Sequence, residues 1–159
     1  MIQRIQTLYL LLATVFTGLL LFVPLATSDV SGMHIDLTAW GVYATELTDN
    51  AVINEVVTFP WFGFLLTVTT LLPFATIFLY KKRKVQMLLC IIEIVLLVIA
   101  AGVLIYLQRI DLPIAEMPQP KFVMLSQSGL LLLSIVSVWI ARLRIAKDEA
   151  LVRSLDRIR

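Results

Sequence analysis

A single carboxylate, Glu93, stands near the middle of Val85 to Leu107, a stretch otherwise made almost entirely of Leu, Ile, Val and other apolar residues. A carboxyl group in such a setting must be offset by hydrogen-bond donors, a cation or a proton. Three roles fit that chemistry: a proton or cation carrier, a hydrogen-bonding anchor that fixes helix register, or an acid that pairs with a donor on another subunit. Other reactive side chains are sparse. His34 and Asp36, two apart on a strand-like stretch, would share one face and could bind a metal weakly. Two ligands do not make a metal site, and the chain has no second histidine, so no metal is expected. Cys90, one helical turn before Glu93, has no histidine beside it in sequence to activate it. As the single cysteine it cannot form an intramolecular disulfide, and it reads as packing. No Walker loop, GxGxxG, HExxH or nucleophile elbow occurs. The chain is therefore expected to be non-enzymatic and to need no cofactor.

The elements that would position Glu93 are membrane helices. Of the 159 residues 60% are hydrophobic and 15% charged, outside the range of an ordinary soluble domain. As a helix, Val85 to Leu107 would be roughly 34 Å long, enough for a hydrocarbon core of ~30 Å. Inserting Glu93 would cost ~3 kcal/mol, against roughly −0.3 to −0.6 kcal/mol for each Leu, Ile or Val. The span holds fifteen of these, so insertion wins. Three further spans are expected, at about 5–26, 61–80 and 122–140, giving one all-α domain, a left-handed four-transmembrane-helix bundle. The first is read as a retained helix and not a signal peptide. It is long for a signal core, and Pro24 stands where a cleavage site needs a small residue. Pro73 lies inside the second span and predicts a kink, since it leaves the carbonyl of Thr69 without its usual partner. Hydroxyls of Thr67, Thr69, Thr70 and Thr76 are at hand to satisfy freed groups. Gln127, Ser134, Ser137 and Ala141 share one face of the fourth span. Matching depths from the ends of the spans puts Glu93 level with Thr14, with Thr69, Thr70 and Pro73, and with Ser134. These polar groups are the predicted intramembrane site.

The connections carry the orientation. Residues 27–60 contain five acidic residues and no Lys or Arg, so they read as an outer loop. Within it, 34–43 alternates, 51–59 is rich in β-branched residues, and Thr48-Asp49-Asn50 supplies turn chemistry, so a small β-hairpin is expected. Residues 108–121, with Pro113, Pro118 and Pro120, form a second, extended outer loop. Lys81, Lys82, Arg83 and Lys84 are a topogenic basic turn, which could also attract anionic lipid. In the tail, 141–159, Leu151, Leu155 and Ile158 repeat at helical spacing, and Glu149 and Arg153 are ordered for an i, i+4 pair. The fourth span is expected to continue into this tail as an amphipathic helix that lies on the inner leaflet. The inner segments hold eleven Lys and Arg and the outer loops two, Arg109 and Lys121, which predicts both termini in the cytoplasm. Basic groups that flank membrane spans give no support to nucleic-acid binding.

The opening Met-Ile-Gln-Arg-Ile-Gln-Thr-Leu-Tyr-Leu-Leu-Leu-Ala, followed by Gly18-Leu-Leu-Leu-Phe-Val-Pro24-Leu-Ala, resembles an uncharacterised family of short four-helix membrane proteins from Bacteroidetes-type bacteria. The resemblance extends over essentially the whole chain and implies an inner-membrane location. That family is a domain of unknown function, so it lends no catalytic residue. The layout is also similar to that of claudin-like four-helix proteins, whose first outer loop forms strands, although the paired cysteines of that loop are absent here. The sequence is thus read as a non-enzymatic accessory or assembly subunit of an inner-membrane or envelope complex. It would sit in the lipid bilayer and contact another membrane or envelope protein, or itself. The alternative is a small proton- or cation-coupled carrier using Glu93.

Overall fold

The computed structural model describes residues 3–30, 32–46, 52–80, 82–109, 121–124 and 126–156. Four helices, α1 (Gln3–Leu19), α2 (Pro60–Phe78), α3 (Arg83–Leu107) and α4 (Leu130–Asp156), pack in a ring in which each touches the next and α4 closes against α1. A five-stranded antiparallel sheet covers the end where α1 and α3 finish and α2 and α4 begin. Its strands are β1 (Ala26–Val30), β2 (Met33–Leu37), β3 (Gly41–Glu46), β4 (Val52–Thr58) and β5 (Val123–Met124), in the order β4-β3-β2-β1-β5.

Among the described residues three helices are long and apolar enough to cross a membrane: α2, α3 and a window of Gln127–Val152 that contains most of α4. The fourth, α1, has 17 residues, about 26 Å at helical rise. It stops seven residues short of the 5–26 segment read from hydropathy. Its last turn tightens through Leu20 N to Thr17 O and Leu21 N to Gly18 O, and the chain then turns away toward Pro24. Pro24 disfavours helical geometry at Val23 before it. Leu20, Leu25 and Ala26 are apolar because they form the buried floor of the sheet, not because they continue a span. The fourth helix also differs from the expected 122–140. Val123–Met124 pairs with β1 through Ala26↔Met124 and Thr27↔Val123, and a 3-10 turn at Ser126–Gly129 intervenes before α4 begins. From there α4 runs without a break to Asp156. The continuation of the fourth span into the tail, expected from the sequence, is part of α4 as far as Asp156, and Ala141, Ile145 and Asp148 face inward at i, i+4 and i+7. The expected continuation over Leu155 and Ile158 and the Glu149–Arg153 pair reach side chains outside the described residues, as do 110–120, Lys81 and the Thr48-Asp49-Asn50 turn.

The sheet is larger than a hairpin because residues before 34 and after 121 also take part. Its alternation is clear in β1 and β2: Ala26, Ser28, Ile35 and Leu37 are buried, whereas Thr27, Asp29, His34 and Asp36 face away. Gly32 connects the paired Val30 and Met33 with φ of 83°, a backbone angle that glycine adopts without steric cost. Between β2 and β3, the Thr38 hydroxyl donates to Gly41 O and accepts from the backbone N–H of Trp40 and Gly41, which breaks the expected 34–43 strand in two. Trp40, in that turn, donates from Nε1 to Leu21 O at 3.1 Å and covers Gly63 at the start of α2. The sheet is thus latched to the ends of both α1 and α2.

Candidate functional site

Each helix buries one stripe, and the polar residues in those stripes define the site. On α3 the stripe is Gln86, Cys90, Glu93, Leu97, Ala100, Leu104 and Leu107, a 3.6-residue rhythm that turns Glu93 inward to 1% exposure. On α1 it contains Gln6, Leu10, Ala13 and Thr17, on α2 Phe62, Leu66, Thr69, Pro73 and Thr76, and on α4 Ser134, Val138, Ala141, Ile145 and Asp148. At the end away from the sheet, side-chain hydrogen bonds fix the levels of these stripes. Gln6 Nε2 donates to Asp148 Oδ2, Arg83 Nη1 donates to Asp148 O at 3.1 Å, and Gln86 Nε2 donates to Thr76 O at 3.3 Å. From those pairs one can count equal helical rises, about 1.5 Å per residue, up to the height of Glu93. The count reaches Phe16 on α1, Thr69 on α2 and Val138 on α4.

The buried hydroxyls nearest that height are Thr17, Thr69, Ser134 and Ser137. Thr14 and Thr70, singled out from the sequence, are only half-buried. None of these hydroxyls is donated to Glu93. Thr14 donates to Leu10 O, Thr17 to Ala13 O, Thr69 and Thr70 to Leu66 O, Ser134 to Leu130 O and Ser137 to Leu133 O. Among the described residues neither carboxyl oxygen of Glu93 has a hydrogen-bond partner, and no Lys or Arg forms an ion pair with it. Arg142 instead stacks on Trp139, 5.7 Å from the ring centroid. A carboxyl group with 1% exposure is also not placed to meet a second subunit, which removes the partner-facing role for Glu93 in this packing.

Pro73 is buried within a continuous α2, and the neighbouring threonines do not serve the carbonyl it frees. Thr67 donates to Gly63 O and Thr76 to Leu72 O. A helical Thr reaches the carbonyl three or four residues back, so only residues 72 and 73 could reach Thr69 O, and these are Leu and Pro. Of the basic turn, Arg83 bonds Asp148 O, while Lys82 and Lys84 are exposed. The polar group that Gln6, Asp148 and Gln86 form with the Thr76 carbonyl was not singled out from the sequence, which marked only the Thr76 hydroxyl. Its signal was present, as polar residues in register with the apolar stripe of each helix.

On the outward face of the sheet, His34 Nδ1 lies 2.5 Å from Asp29 Oδ1, its cross-strand partner, and Nε2 lies 3.3 Å from Asp36 Oδ1. The hydrogen bond to Asp29 holds the His34 imidazole above the ordinary histidine pKa, partial burial opposes this, and the charge of Asp36 adds to it. Among the described residues no group of three or more His, Cys, Asp or Glu side chains is placed to hold a metal ion.

No match was found among curated proteins. A family profile described as a domain of unknown function, DUF4293, matches residues 2–158, and on that coverage the chain belongs to this family.

Proposed function

We propose that the protein is a multi-pass subunit of the bacterial inner membrane, with both termini cytoplasmic, that assists the assembly or action of an envelope complex and has no catalytic activity of its own. The observation that carries this reading is the sheet. A simple connection between α1 and α2 would need only a few residues, yet 26–58 contributes four strands and recruits a fifth from beyond α3. Its inner face is spent on Leu25, Ile35, Leu37 and Val42, and its outer face offers Thr27, Asp29, His34, Asp36 and Tyr43, a polar surface suited to a protein neighbour rather than lipid. The membrane setting is supported by large apolar side chains on the outward faces of all four helices, among them Leu8, Leu71, Val98 and Leu132. The eleven-to-two distribution of Lys and Arg supports the orientation, with the sheet outside. The test is purification from native membranes in mild detergent with mass spectrometry of co-purifying proteins. A stoichiometric companion that is lost when Thr27, Asp29 and Tyr43 are replaced together supports the reading. A lone monomer or homo-oligomer refutes it.

A second reading, a proton- or cation-coupled carrier, is favoured by one observation: Glu93 is buried with neither oxygen bonded. It is tested by proton flux in vesicles reconstituted with the protein. Flux that Glu93→Gln abolishes without loss of folding supports the carrier, and absence of flux refutes it.

A further inference from the structure

At the end of the bundle opposite the sheet, a cavity of about 550 Å³ opens among Tyr80, Lys82, Arg83, Lys84, Glu149 and Val152. It lies where α2 has ended, α3 begins and α4 makes its last turns, so three elements build it. Three cations and one carboxylate line it, a net excess of two positive charges. Among the described residues Lys82, Arg83 and Lys84 make no ion pair with a carboxylate, and Arg83 is tied instead to the neutral carbonyl of Asp148. Its volume falls within the ~300–1,000 Å³ usual for small-ligand sites. The position is equally specific. Val85 begins the apolar part of α3 one residue after Lys84, and Tyr80 follows the end of α2 by two residues, so the cavity lies at headgroup depth when these helices cross a bilayer. Topogenic charge alone requires basic residues in the connection but does not require a cavity between that turn, the start of α3 and the last turns of α4.

We propose that this cavity binds the phosphate-bearing headgroup of an anionic phospholipid, with Lys82, Arg83 and Lys84 facing the phosphate. The proposal rests on the membrane reading above but not on the subunit role, and it stands or falls separately from any co-purifying partner. A free phosphate shares the recognising chemistry, and the lipid is favoured because apolar Val152 and the start of α3 lie beside the cations, where a glyceride would continue.

The test uses the full chain in phosphatidylcholine nanodiscs titrated with phosphatidylglycerol, with retained lipid counted by native mass spectrometry. One saturable phosphatidylglycerol per chain is expected. The double substitution Lys82→Gln and Lys84→Gln is expected to weaken it about 30-fold, at roughly fivefold per surface cation. Arg144→Gln with Lys147→Gln removes two exposed charges of the same end that do not line the cavity and should leave binding unchanged. Glu149→Gln should tighten binding by about fivefold by the same charge argument. Equal losses in the two double variants would show bulk surface charge and overturn the site. Competition by inorganic phosphate with an affinity matching the lipid's would overturn the lipid as occupant.

Discussion

Replacing Glu93 with Leu should stabilise the protein. Leaving a buried acceptor unsatisfied costs about 1–3 kcal/mol, and both oxygens of Glu93 are in that condition. Leu has one side-chain heavy atom fewer, and a methyl-sized void costs up to about 1 kcal/mol. Polar groups also find partners in the unfolded chain within a membrane, which trims the gain further. The net expectation is a stabilisation of roughly 1–2 kcal/mol. Equilibrium unfolding in mixed micelles, followed by near-UV circular dichroism, measures it against wild type, with Glu93→Gln as the polar control of similar size. Gln brings an amide with its own unmet needs and should stay near the wild-type value. If Glu93→Leu instead destabilises by more than about 1 kcal/mol, Glu93 makes a favourable hydrogen bond in the bilayer. The idea of an acid retained against stability would then be wrong. A stabilised Glu93→Leu variant that has lost vesicle flux would separate function from fold in one protein.

Gly63→Ala should destabilise by about 1–3 kcal/mol, because the new Cβ would lie 2.4 Å from Cε3 of Trp40, whose ring is held to Leu21 O; thermal unfolding and a shift in tryptophan emission report it. Asp148→Ala removes the acceptor of the buried Gln6 amide and should cost about 1–3 kcal/mol, measured by the same micelle unfolding, whereas Asp148→Asn should recover most of the loss by offering its carbonyl. His34 has a folded pKa raised above its unfolded value near 6.5. Its contribution to stability is therefore complete below that unfolded value and is lost as pH rises through the folded one. Titration of the His34 ring by NMR should give a midpoint above that of free histidine, and Asp29→Asn should lower it more than Asp36→Asn does, since the Asp29 hydrogen bond is the larger cause.

Hydropathy located α3 to within two residues at its start because the apolar run from Val85 to Leu107 coincides with the helix. It misplaced the end of α1 and the start of α4 for one reason. Leu20, Leu25 and Ala26 are as apolar as lipid-facing residues, yet they are buried under strands, and Val123 is drawn into the sheet by pairing with Thr27. Apolarity does not distinguish burial by lipid from burial by a sheet. The membrane span was ended at 140 because Arg142, Arg144 and Lys147 lower the local hydropathy, while Ala141, Ile145 and Asp148 carry the inward stripe on along the same helix. That boundary also shifted the depth match. Counting from a span taken to end at 140 gave Ser134 as the level of Glu93, whereas counting from the Arg83–Asp148 hydrogen bond gives Val138, next to Ser137. The inward direction of Glu93 was legible, since Gln86, Cys90 and Leu97 flank it at helical spacing. The absence of any donor toward it was not, because a Ser or Thr hydroxyl in a helix has its own backbone carbonyl within reach.

The two ends of the molecule are held differently from its middle, and this bears on Glu93. At one end, Gln6, Arg83, Gln86 and Asp148 tie helices to one another through side chains. At the other, Trp40 and the paired strands bind the ends of α1 and α2 together. Between them, every hydroxyl at the height of Glu93 is turned back onto its own helix. Among the described residues no side-chain hydrogen bond joins two helices at that level, so packing sets the local spacing there. A packed layer can admit a water or cation, or turn a hydroxyl, without breaking an interhelical hydrogen bond, and the fixed ends keep such a change local. Glu93 thus occupies a layer in which the described hydroxyls bond only within their own helices. An acid placed purely to fix helix register would be expected among the interhelical hydrogen bonds instead, as Asp148 is.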